Sequence, residues 1–243
     1  MQTLINPSNA VEPLDWENRT SPAGMTHPPV ACLFDLDGLL LDTEPFHGMG
    51  WRQAAAQFGG ELSDEQLLQL RGRRRRDCAQ QVDDWLPTPI GIDVLLAVQQ
   101  PIVRALLPQA PAMPGAEGLV QHCCDHGIKT ALVTSSSREA VAFKTSHHPW
   151  VESIKERIYG DDPQLAAGKP DPAPYLLAAQ RLKVDPSDCW AFEDSNAGMQ
   201  SAEAAGCRVW VLSSETQSDP LTQNPCRVES LEVVLDQLVN TSG

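Results

Sequence analysis

Asp35 and Asp37 stand two residues apart directly after the apolar run Val30-Ala31-Cys32-Leu33-Phe34. Glu193-Asp194 follow a second run, Cys189-Trp190-Ala191-Phe192, and Thr134 follows a third, Ile128 to Val133. Lys169 is carried on the loop segment Gly168-Lys169-Pro170-Asp171-Pro172. Carboxylates brought together repel one another and are costly to desolvate, so a cation is expected among them. An all-oxygen ligand set suits a hard ion, and Mg²⁺ commonly takes one or two carboxylates, keeps waters and meets a substrate phosphate. Beside such an ion an Asp carboxylate can act as a nucleophile on phosphorus, splitting one hard displacement into two easier ones. Asp37, in a turn that Gly38 allows to bend back, can protonate the leaving oxygen and later take a proton from water. Thr134 offers a hydroxyl to a phosphoryl oxygen, and Lys169 neutralises charge on nucleophile and phosphate alike.

Such chemistry needs a scaffold that brings separate strand ends to one edge. The run Val30 to Phe34 is uniformly apolar rather than alternating, as in a strand buried on both faces of a parallel sheet. Helical patterns follow from Gly115 to His126, stopped by Gly127, then through Glu139 to Lys144, Tyr175 to Leu182, Ala197 to Ala205 and Leu231 to Leu238. Further strands are expected near Ile158-Tyr159 and over Arg208 to Leu212. This alternation predicts an α/β fold, a doubly wound parallel sheet, with ligands in the crevice outside the carboxyl ends of its strands. Residues 46–108 interrupt it with purely helical spacing (Trp51, Ala54, Ala55, Phe58, Leu62, Leu67, Leu70) and read as a small inserted α-helical domain. The expected organisation is a disordered tail over 1–29, a core of 30–45 and 109–243, and the insert at 46–108.

A formal net charge of −14 disfavours nucleic acid and anionic membrane surfaces as partners. No segment approaches the roughly 18 consecutive apolar residues of a membrane span. Residues 1–29 lack the basic-then-apolar layout of a secretion signal. Seven cysteines without a C-x-x-C pair fit a reduced, cytoplasmic setting.

The four strand-end and loop motifs, in order, resemble the haloacid dehalogenase superfamily, from about Val30 to Leu212. The first is Asp35-Leu36-Asp37-Gly38-Leu39-Leu40-Leu41-Asp42-Thr43-Glu44, the second Thr134, the third Lys169 and the fourth Glu193-Asp194. The resemblance implies Asp35 as nucleophile, Asp37 as general acid/base, and Mg²⁺ held by Asp35, the Asp37 carbonyl and Asp194. Glu193 reads as a partner reaching the ion through water or through another ligand. Dehalogenases proper lack the second aspartate, so Asp37 points to phosphate esters. The insert resembles the helical cap of the subgroup with beta-phosphoglucomutase and many small-metabolite phosphatases. Met113 to Glu117, Lys144 to His148, and Gly160 to Pro163 followed by Gly168 to Pro172 look most like pseudouridine-5'-phosphate and glycerol-3-phosphate phosphatases. A Mg²⁺-dependent phosphatase of a small phosphorylated sugar, polyol or nucleoside is therefore expected.

Two other readings remain at this level. His47, Arg71 and Arg75 fall where beta-phosphoglucomutase has cap-side polar residues, which keeps a sugar phosphomutase in view. A non-catalytic phospho-accepting module also combines acids, a Thr and a Lys, yet has neither the Asp-x-Asp spacing nor a cap. Among Arg73 to Arg76, either the run is a solvated helix end or one residue, Arg75 preferred, reaches the substrate. Ser135 and Ser136 are either phosphate donors or helix caps. Lys144 and His147 either orient the loop or substrate or lie on a helix surface, and Trp51 reads as core of the insert.

Overall fold

A computed structural model describes residues 28–70, 75–213 and 224–241. The expected tail lies outside the described residues apart from Pro28 and Pro29, as do Arg71, Arg73 and Arg74. Six strands form one sheet: β1 (Ala31–Phe34), β2 (Lys129–Val133), β3 (Glu156–Ile158), β4 (Cys189–Glu193), β5 (Arg208–Leu212) and β6 (Cys226–Val228). Their order is β3-β2-β1-β4-β5-β6 and every pairing is parallel. The chain builds outward from β1 to β3 on one side and then crosses to β4 on the other. The direction of winding reverses between β1 and β4, and an open α/β sheet has its crevice at such a point.

Strand alternation divides the core into two faces. Cys32, Phe34, Trp190, Phe192 and Trp210 point to one face, covered by α5 (Ala116–Asp125) and α9 (Leu231–Thr241) through Leu119, Val120, Leu231 and Val234. Ala31, Leu33, Ala131, Ala191 and Val209 point to the other. There α7 (Ala173–Leu182) and α8 (Asn196–Ala204) pack through Tyr175, Ala178, Ala179 and Ala202. The aromatic face is stacked, with the Phe34 and Phe192 rings 4.9 Å apart, whereas the small residues of the other face let its helices approach closely. α6 (Arg138–Lys144) follows β2.

Between β1 and α5 lie α1 (Glu44–Ala56), α2 (Asp64–Leu68), α3 (Arg75–Trp85) and α4 (Ile92–Leu106). Their apolar stripes form a separate cluster of Trp51, Ala54, Leu62, Val82 and Leu95 among others, so this insert has its own small core. Buried Asp83 ties α3 to the start of α4 by accepting the N–H groups of Ile90 and Gly91 at 2.8 and 3.1 Å. The two connections to the sheet domain run side by side. Asp42 N–H donates to Pro111 O at 2.9 Å and Met113 N–H to Leu40 O at 3.0 Å. No described helix is long and apolar enough to cross a membrane.

The strand expected near Ile158-Tyr159 lies slightly earlier, at Glu156–Ile158, and β6 was not expected at all. Both are three-residue strands at the sheet edges, where pairing to β2 or β5 decides the conformation.

Candidate active site

The first motif is a strand end that turns sharply. Asp35 N–H donates to Phe192 O at 3.0 Å, carrying the β1–β4 ladder one residue past β1. Leu36, Leu39, Leu40 and Leu41 are fully buried and anchor the turn, so the polar side chains between them are left to face the crevice. Gly38 has φ +82°, and a Cβ there would lie 2.0 Å from Asp194 Oδ2. Only glycine satisfies both the backbone and this close approach.

Carboxylate oxygens of Asp35, Glu193 and Asp194 all lie within 4.8 Å of one another. Lys169 Nζ donates to Asp35 Oδ1 at 2.5 Å, to Val133 O at 2.9 Å and to Glu193 Oε1. Tyr175, fully buried on α7, donates its hydroxyl to the same Glu193 oxygen, and Ser195 Oγ donates to Glu193 Oε2 at 3.2 Å. Glu193 is the last residue of β4, rather than the first beyond it, and has no solvent exposure. α8 passes so close that a Cβ on Gly198 would stand about 2.0 Å from its carboxylate.

One ammonium does not neutralise three clustered carboxylates, of which Asp35 and Glu193 are buried and Asp194 half-buried. Burial, with repulsion from Glu193 and Asp37, outweighs Lys169 and pushes Asp35 up to about 7. Burial, then Asp35 and Glu193, pushes Asp194 up to about 8. Burial works against the Lys169 charge, but Asp35 and Glu193 overcome it and hold the ammonium well above its ordinary value. This donor set fits a hard divalent cation, because all-oxygen ligands are present and a cation would relieve the repulsion. Asp35 and Asp194 would be its direct carboxylate ligands, while Glu193 already accepts from Lys169, Tyr175 and Ser195.

Asp37 has a different environment. Lys144 Nζ lies 2.6 and 2.7 Å from its two carboxylate oxygens, and Ser136 Oγ donates to Oδ2 at 2.9 Å. Burial raises its pKa, but Lys144, Ser136 and His47 together bring it below the ordinary value. Lys144 is therefore a buried member of the site and not a helix-surface residue. His147, expected in the same role, is exposed. Thr134 is buried at the end of β2, with its N–H on Ile158 O at 3.0 Å and its Oγ1 accepting from Ser136 N–H at 3.1 Å. The cap of α6 is Ser137, whose Oγ accepts from Ala140 N–H at 3.3 Å, so neither Ser135 nor Ser136 caps this helix. Ser135 is exposed and borders a cavity of about 220 Å³ together with Thr134, Gly160, Gly168 and Lys169.

From the insert, half-buried His47 on α1 lies within electrostatic reach of Asp37, Lys144 and Arg75. Burial, helped by Lys144 and Arg75, pushes its pKa down to about 4, so its ring is neutral at pH 7. Arg75 is exposed at the start of α3, and Arg71 falls outside the described residues. Arg76 pairs with Asp93 at 3.0 Å within the insert, and Trp51 is buried in the insert's core. Tyr175 and Ser195 escaped sequence reasoning, since a helix period or a serine after an acid carries no sign of a hydrogen bond to Glu193.

The chain is 32% identical to the bifunctional riboflavin kinase/FMN phosphatase of Arabidopsis thaliana over 75% of its own length, but spans only 48% of that protein. It is 31% identical to a Drosophila melanogaster protein named probable pseudouridine-5'-phosphatase, covering 81% of this chain and 87% of that one. A crystal structure of a HAD hydrolase, family IA, variant 3, from Entamoeba histolytica superposes with a TM-score of 0.70 at 25% identity. That match covers 87% of this chain and 98% of the other. A model of the haloacid dehalogenase-like hydrolase family matches residues 30–206, from the first strand to the turn after α8. The chain therefore belongs to the haloacid dehalogenase-like hydrolase family.

Proposed function

We propose that this protein is a Mg²⁺-dependent phosphatase of small phosphorylated metabolites, working through an aspartyl-phosphate on Asp35. The observation that carries this reading is the pairing of each aspartate of Asp35-Leu36-Asp37 with its own buried lysine, Lys169 and Lys144. One carboxylate belongs to the acidic cluster of the cation site, and the other lies next to that cluster but outside it. In the first half-reaction an Asp35 carboxylate oxygen attacks phosphorus, the bond from phosphorus to the ester oxygen breaks, and Asp37, which must carry a proton in the substrate complex although Lys144 and Ser136 favour its ionised form in the free protein, delivers that proton to the departing alkoxide. In the second, Asp37 takes a proton from water, the water oxygen attacks phosphorus, and Asp35 is released as carboxylate. Thr134 and Ser135 donate to phosphoryl oxygens, and Lys169 offsets charge on both the nucleophile and the phosphoryl group. When bound by Asp35, Asp194 and the Asp37 carbonyl, with Glu193 in support, the metal ion supplies positive charge to the phosphoryl oxygens. His47 and Arg75, with Arg71, are proposed to meet the substrate from the insert, residues 46–108, which acts as a cap over the core of 30–45 and 109–243.

Two of the similar proteins are named for FMN and pseudouridine 5'-phosphate, both phosphate esters of a primary alcohol. A primary-alcohol phosphate monoester is therefore the proposed substrate class. Seven free cysteines, six of them buried, support a reducing, cytoplasmic setting. The test is phosphate release from a panel of FMN, pseudouridine 5'-phosphate, glycerol 3-phosphate and hexose phosphates with Mg²⁺, followed by EDTA. Release from at least one ester that EDTA abolishes is expected. Silence across the panel, or release that survives EDTA, contradicts the reading. A bisphosphate-primed incubation with a sugar 1-phosphate is expected to give free phosphate rather than the 6-phosphate isomer of a mutase.

A further inference from the structure

We propose that Lys144 is the residue that positions Asp37 for proton transfer, an inference that rests on the phosphatase reading above. The Asp37 carboxylate is not fixed by its own turn, since the backbone bonds around Gly38 leave its side-chain torsions free. It is fixed by a closed ring of three groups. Lys144 Nζ donates to both carboxylate oxygens and to Ser136 Oγ at 2.8 Å, and Ser136 Oγ in turn donates to Asp37 Oδ2. The Lys144 side chain is only 6% exposed, and it ends α6, whose last turn is held by Thr145 N–H on Val141 O at 2.9 Å.

Two buried lysines thus divide the site. Lys169 touches Asp35 and Glu193, whereas the ion pair of Lys144 is with Asp37. A buried ion pair is an inefficient way to stabilise a fold compared with apolar residues of the same volume. Its position beside the proton-transfer group accounts for it in terms of function. Without the ammonium, Asp37 keeps one hydroxyl donor and is free to turn away from the leaving oxygen.

This role has a signature that fold support or phosphate binding lacks. An alkoxide needs a proton as it departs, whereas p-nitrophenolate leaves without one. Lys144→Met is expected to lower kcat/KM by roughly 10²-fold, the scale of general acid catalysis, for an alkyl phosphate from the panel above. For p-nitrophenyl phosphate the same variant should lose less than about fivefold, because general acid catalysis is not needed there. Asp37→Asn should show the same skew. Ser136→Ala, which removes the other donor, should show it more weakly, and provides the test if Lys144→Met does not fold. Equal losses on both esters, or no loss, overturn the inference. A wild-type protein that hydrolyses neither ester overturns the phosphatase reading and this inference with it. Skew in Asp37→Asn without skew in the Lys144 and Ser136 variants overturns the inference alone.

Discussion

Asp35 and Asp37 are chemically opposed although one residue separates them. Burial and neighbouring carboxylates push Asp35 up to about 7 and Asp194 up to about 8, while Asp37 is held below its ordinary value. In metal-free protein the raised pair binds more protons than the unfolded chain between about pH 4 and pH 8, so its contribution to stability falls as pH rises through that window. A metal ion requires the same groups deprotonated, so its stabilisation must grow over this range. Thermal unfolding with and without Mg²⁺ should give a larger upward shift in Tm at pH 8 than at pH 6. At a hundredfold excess over Kd the gain is about 2.7 kcal/mol. Equal shifts at the two pH values would contradict a metal-binding role for the raised pair. At this scale the sequence revealed the residues that end strands, because a carboxylate directly after a two-sidedly apolar run must leave the core at the sheet's edge. It left Lys144 undecided and missed Tyr175. Lys144 reaches Asp37 across 107 positions of chain, and only the packing of α6 beside β2 brings them together.

Elements set these distances through close contacts at glycine. Gly198 lets α8 lie directly against Glu193, where an added methyl would stand about 2.0 Å from the carboxylate. Gly198→Ala is therefore expected to destabilise by about 1–3 kcal/mol, the range for overpacking a tight site. It should also disturb the Glu193 bonds to Lys169 and Tyr175, so thermal unfolding and activity should fall together. A variant with wild-type Tm and rate would contradict the close approach. Strands β1, β2, β4 and β5 were legible because each carries at least three consecutive apolar residues. β3 and β6 were displaced or missed because Arg157 and Arg227 interrupt three-residue stretches that become strands only through pairing at the edge. The aromatic stack of Phe34, Phe192 and Trp210 was invisible as a unit, since its members come from three strands.

Over the whole molecule, the net charge of −14 divides into two parts. One share lies at Asp35, Glu193 and Asp194 around the proposed cation, and another on solvated acids such as the exposed Glu61, Asp77 and Glu117. Away from the site, Arg104 on α4 meets Glu139 on α6 at 2.5 Å, both largely exposed, and links the insert to the sheet domain without altering the net charge. The alternation of strands and helices announced the sheet, and the helical spacing of 46–108 announced an interruption. Neither showed that Asp35 and Glu193 lie on either side of the winding reversal, because strand order is a property of the folded sheet. The central claim is that phosphorus is transferred to Asp35. The most direct measurement is to mix enzyme with a hydrolysed ester, quench in acid within a turnover, and map the phosphoryl group by peptide mass spectrometry. That group is predicted on the peptide carrying Asp35, and both it and turnover should be lost in Asp35→Asn. Phosphate release that leaves Asp35 unlabelled, or an Asp35→Asn variant that turns over at the wild-type rate, would contradict the claim.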